Sequence, residues 1–156
     1  MTYAVRTEQA DPRPLAAIRA VTQQQRLGAA IIGALDIVWP VLRQQGVRTG
    51  HNVVIYHGSA DGSLVIDVGV EIFGGFSADG SAEVRPVSTP AGEAAAAAHF
   101  GEYSEIGGAY AALAEWCAAN GRDPAGVNWE VYGDWAEDPG ERRTDVYMLL
   151  SPRSPA

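Results

Sequence analysis

Lysine is missing altogether: all 11 basic side chains are arginine. Without that amine there is no Schiff base with a carbonyl substrate, no anchor for pyridoxal phosphate and no Walker-type phosphate loop. A single cysteine, Cys117, excludes an intrachain disulfide and a multi-cysteine zinc site. Its place on an apolar helix face suits a buried, inert thiol. Positive charge is scarce, 11 Arg against 19 Asp and Glu, for a formal net charge of −8. A phosphate-neutralising face cannot be built from that balance, so nucleic acid is not an expected partner. A negative field favours cationic ligands, besides serving solubility. Long apolar runs are lacking too. Arg6, Glu8, Asp11, Arg13 and Arg19 break up the N-terminal stretch, unlike an export signal. The apolar stretch near 29–41 is interrupted by Asp36 and falls short of the ~20 residues of a membrane span. A soluble, cytoplasmic protein without membrane association is expected. His51, His57 and His99 lack metal-site spacing, and no metal or cofactor is implied.

What is present is a globular composition, 156 residues with 47% hydrophobic and 19% charged, enough for a single domain over 1–156. The chain reads as two copies of one unit. Gly50-His51-Asn52-Val53-Val54-Ile55-Tyr56 and Gly126-Val127-Asn128-Trp129-Glu130-Val131-Tyr132 share the pattern G-x-N-x-x-(I/V)-Y. Gly46 and Gly121 follow apolar helix patterns upstream, and Asp67-Val68 answers to Asp145-Val146 downstream, all at nearly one offset of half the chain. The first repeat spans about 1–75 and the second about 80–150, with a loose, proline-bearing tail over 151–156. Strands are expected over 2–8, 15–21, 51–57, 64–73, 81–87, 92–100, 127–135 and 142–150, the hairpin after 57 turning over 58–62. Helices are expected over 22–45, capped by Thr22, stopped by Gly46 and kinked or divided at Pro40, and over 103–120. Residues 94–98, all alanine, would alone suggest a helix, but the repeat and the flanking glycines favour a strand. The fold class is α+β: two βαββ units, related by a pseudo-twofold axis, forming a mixed or antiparallel sheet with helices on one face and a ligand cleft on the other.

Alternation then sorts the side chains. Ile66, Val68, Val70, Val146 and Met148 should face the helices, and so should Val53, Ile55, Trp129 and Val131. The open face would carry Tyr56, Phe73, Tyr132 and Tyr147 around Glu71 and Glu130. A flat aromatic floor with an anion suits a planar, lipophilic cation. A half-solvated sheet also carries tyrosine and glutamate as ordinary residents. Glu130 is the harder to dismiss, because the first copy has Val54 there and a carboxylate among rings is costly to desolvate uncompensated.

His99-Phe100-Gly101-Glu102-Tyr103, followed by Tyr110, Leu113 and Trp116, resembles the H-x-G-x-Y…Y…L…W run of GyrI-like small-molecule-binding domains. Trp129-Glu130-Val131-Tyr132 resembles that family's E-x-Y strand, and Thr144-Asp145-Val146 its closing strand. The resemblance implies a bacterial-type domain of paired βαββ units that senses lipophilic cations in multidrug-responsive MerR-type and AraC-type regulators, with Glu130 matching the acidic residue deep in the cleft. It implies a stand-alone member, without the DNA-binding region of those regulators, that sequesters or senses lipophilic cationic or aromatic small molecules. The same resemblance implies an alternative: a hydrolase opening strained rings of cyclopropane-bearing DNA-alkylating natural products. Glu130 would then activate water and Tyr132 polarise the leaving oxygen, as the catalytic pair. A protein-binding adaptor, as in relatives that inhibit a topoisomerase, is the third.

Overall fold

A computed structural model describes residues 2–58, 61–78 and 83–153. Among them the chain forms strands β1 (Arg6–Ala10), β2 (Pro14–Thr22), β3 (Arg48–His57), β4 (Leu64–Phe73), β5 (Arg85–Ser88), β6 (Gly92–Phe100), β7 (Pro124–Tyr132) and β8 (Arg143–Leu150). Helix α1 covers Leu27–Gln45 and α2 covers Gly107–Ala119, each entered through a short 3-10 turn. The α+β class is as the sequence implied. Ser59 and Ala60 of the hairpin turn, Ser81 and Ala82 of the fifth strand, and tail residues 154–156 lie outside the described residues.

Two compact units result, one from Pro12–Thr89 and one from Met1–Asp11 with Pro90–Ala156. In the first, the antiparallel order is β3-β4-β2-β5, with α1 packed on β2 and β4. In the second, the antiparallel order is β1-β6-β8-β7, with α2 packed on β6 and β8. The unit boundaries are therefore not the repeat boundaries. β1, at the head of the first repeat, pairs with β6 of the second, and β5, at the head of the second, pairs with β2 of the first.

Local chemistry explains most of the elements. Gly46 takes φ 65° and ends α1 with its N–H on the Arg43 and Leu42 carbonyls, the left-handed stop glycine makes at no steric cost. Pro40, however, neither ends nor divides α1. It lies on the exposed face, where the backbone groups it disrupts can turn to water. Thr22 does not cap the helix either; it closes β2, and α1 starts after Arg26 without a side-chain cap. Residues 94–98 are strand, paired with β8 throughout and with β1 as far as Ala96, and Ala94, Ala95, Ala96 and Ala97 are buried. Small side chains suit that central position, where burial and ladder pairing outweigh helix propensity. By length and composition Gln24–Gln45 would cross a membrane. Its Ala34, Val38 and Leu42 are instead buried, as on a core helix.

Candidate functional site

Cross-strand partners share a face of the sheet, so the register fixes where each expected site residue points. In the unit containing α2, the buried cluster joins Ala95 and Ala97 of β6, Val146, Met148 and Leu150 of β8, and Ile106, Ala109, Leu113 and Cys117 beneath and along the helix. Glu130 is paired with Val146 and Tyr132 with Thr144, which puts both on the helix-bearing face. Trp129 is paired with Tyr147 on the opposite face, and their rings stack at 5.0 Å and 7°. This corrects the expected arrangement: Glu130 and Tyr132 lie under the helix, and Tyr147 lies on the far side of the sheet from them.

The same inversion occurs in the other unit. The Trp39 indole of α1 donates to Asn52 Oδ1 at 3.0 Å, which fixes Asn52 on the helix side. Tyr56, two steps of two further along β3 and paired with Ile66, shares that side. Glu71 and Phe73 alternate onto the opposite one. The cause is burial on both faces: Val53, Ile55, Val54, Val68 and Val70 are all at most 1% exposed, so alternation of apolar and polar residues could not tell the faces apart. The six expected residues thus do not share a surface.

Around Glu130 the chemistry converges. Its carboxylate is 4% exposed and accepts the Tyr110 hydroxyl from α2 at 2.7 Å on Oε2. Oε1 accepts the Tyr132 hydroxyl. Tyr103, in the turn before α2, meets the Tyr132 ring edge-on at 5.7 Å and 85°. The Arg142 guanidinium lies 6.0 Å above the Tyr103 ring and 4.7 Å above that of Trp135. A carboxylate thus sits at the base of three phenols, with an arginine stacked on the outermost. Tyr110 and Tyr103 belong to the family motif and are not among the site residues expected from the sequence. The seven-residue spacing between them, two helical turns, is the signal that would have placed them together.

His99 braces the neighbouring strand. Its Nε2 lies 2.9 Å from the Glu102 carbonyl, which only accepts, so Nε2 carries the proton and Nδ1 accepts from the Tyr3 hydroxyl at 2.8 Å. Burial first, and then the Glu105 charge, push the Tyr3 phenol up. Gly108 admits Tyr3: a Cβ there would stand 3.1 Å from its hydroxyl. Cys117 is buried with Sγ 3.8 Å from Met148 Sδ, and burial pushes its thiol up, the inert state expected of it.

The remaining expected residues have local partners. Glu71 pairs with Arg13 at 3.4 Å and leans over Gly50, where a Cβ would come within 2.3 Å of its Oε1. Phe73 is exposed, with the Arg48 guanidinium 5.9 Å above its ring. On that same face, Asp67 is held by Arg19 through two contacts of 3.0 Å and by His57 at 2.8 Å. Burial raises the Asp67 carboxyl, but the Arg19 and His57 hydrogen bonds and charges outweigh it and leave it below its ordinary value. Beside it is a shallow recess of about 430 Å³ lined by Ala17, Arg19, Asp67, Glu83, Arg85 and Val87. It holds none of the expected site residues.

A family model described as a GyrI-like small molecule binding domain matches residues 3–151. Among solved structures, the EcmrR C-terminal domain is similar with a TM-score of 0.76 and 16% identity, over 97% of this chain and 99% of that one. SAV2435, solved bound to tetraphenylphosphonium, gives 0.67 and 13% over 97% and 94%. A hydrolase from Listeria innocua gives 0.61 and 11% over 94% and 91%. At these identities the likeness is one of fold. Comparison with curated proteins gives no match.

Proposed function

Because the chain belongs to the GyrI-like small-molecule-binding family, we propose that it binds lipophilic aromatic cations at Glu130 and releases them unchanged, as a sequestering or sensing protein. The observation that carries this is the buried carboxylate of Glu130 set among the rings of Tyr103, Tyr110 and Tyr132. The face of a phenol ring attracts a delocalised cation by roughly 0.5–2 kcal/mol when desolvated. The carboxylate adds an attraction that the low-dielectric surroundings strengthen. The fold neighbour solved with tetraphenylphosphonium lends support by analogy of fold. A hydrolase, the alternative, would need a Glu130 oxygen aimed at water. Both oxygens accept phenol hydroxyls here, which favours binding over turnover.

Calorimetric titration with tetraphenylphosphonium and with neutral triphenylphosphine oxide tests this. Micromolar affinity is expected for the cation, roughly −7 to −9 kcal/mol. Glu130→Gln should weaken it about tenfold and leave the neutral compound within about twofold. Equal losses for both compounds would remove the charge from the explanation. A cyclopropane-bearing alkylator incubated with the protein and recovered with an added water would replace binding by catalysis.

A further inference from the structure

Every helix-facing position of β8 is apolar except one. Val146, Met148 and Leu150 pack under α2, but Thr144 continues their row. It is fully buried, and among the described residues its Oγ1 is the buried side-chain polar atom without a hydrogen-bond partner. Valine has the same outline and would fill the place with no polar atom to satisfy, so the hydroxyl carries a cost that packing does not require. Thr144 faces Tyr132 on one neighbouring strand and His99 on the other. It is therefore the same-face, cross-strand neighbour of Tyr132, whose ring Tyr103 flanks.

We propose that Thr144 is a ligand contact, its hydroxyl taking a hydrogen bond from a group that the bound cation carries beyond its charge. This rests on the binding of aromatic cations at Glu130 and deepens it. The favoured ligand is then a flat aromatic cation bearing an aromatic amine, and an all-hydrocarbon cation is second best. An aryl amine reaching past the Tyr132 ring finds in Oγ1 an acceptor that no donor among the described residues occupies. Glu130, two residues from Tyr132 on the same face, meets the charge.

The test uses the full chain and two probes: proflavine, a planar cation with two aromatic amines, and tetraphenylphosphonium, which has no hydrogen-bonding group. Thr144→Val should weaken proflavine about tenfold and leave tetraphenylphosphonium within about twofold. Thr144→Ser, which keeps the hydroxyl, should hold proflavine within about threefold of the wild type. Proflavine unaffected by Thr144→Val overturns the proposal. So do equal losses for both probes, which would reduce Thr144 to packing. If Glu130→Gln weakens both cations while Thr144→Val weakens neither, cation binding stands and the Thr144 contact falls. A wild type that binds neither probe removes both.

Discussion

Among the described residues each unit buries one carboxylate, and the two are held in opposite ways. Asp67 is 3% exposed, Glu130 4%. Asp67 lies on the face away from its helix and ties three strands: Arg19 comes from β2 and His57 from β3. Glu130 lies on the face under its helix and is gripped by hydroxyls, Tyr110 from α2 and Tyr132 from its own strand. A guanidinium that binds a carboxylate through two bonds neutralises it and locks it in place. A phenol positions the anion while leaving its charge unneutralised. Equal burial thus serves two ends. One carboxylate is bound by a guanidinium and an imidazole, and the other accepts phenol hydroxyls.

The largest expected effect separates them by stability. Arg19→Met strands the buried Asp67 carboxylate with His57. It should cost about 2 kcal/mol in urea unfolding, less than the roughly 3–5 of a fully enclosed pair because Arg19 is solvent-exposed. The Asp67 carboxyl is held below its ordinary value of 3.8. Its contribution is therefore complete above that pH and disappears as pH falls through the lowered folded value. Arg19→Met should flatten that acid limb, whereas Glu130→Gln should leave it in place. An unchanged acid limb in Arg19→Met would dissolve the contrast.

Next comes Tyr110→Phe, which removes one phenol from Glu130 and should cost about 1 kcal/mol. In a Glu130→Gln background the same change should cost about half as much, since a charge-assisted bond has become a neutral one. Costs that simply add would show that the hydroxyl and the carboxylate do not act together. The smallest effect concerns the far face. Tyr147→Phe should leave tetraphenylphosphonium affinity within about twofold, because Tyr147 stacks on Trp129 away from Glu130. A larger loss would return Tyr147 to the binding surface.

The residue patterns disclosed the elements better than their orientation. The limits of β4 and β6 coincide with those expected, because turn glycines bracket both strands. In β3 and β7 the faces came out reversed. A strand buried on both sides offers no polar rim to orient it, and the side is revealed by its cross-strand register and by the Trp39–Asn52 and Tyr110–Glu130 contacts. Glu130 and Tyr132 were legible as a pair because two residues apart on a strand means one face. Tyr103 and Thr144 were not, since their value comes from neighbours far along the chain. Asp67 enters the sequence reading only through the repeat, and nothing nearby in sequence announces Arg19 as its partner.

The long-range pairing of β1 with β6 and of β5 with β2 gives this chain an unusual folding problem. Arg6 must find Ala96, and Leu15 must find Val87. These pairings close loops of about 90 and about 70 residues, an entropic toll that grows with the logarithm of the span. Neither repeat holds a complete four-stranded sheet in its own stretch of chain, so an early fragment emerging during synthesis exposes β2 with an unfilled edge until β5 arrives. Pairings so remote make for late closure and a slow final step. Each four-stranded unit is completed only when stretches far apart in the chain meet.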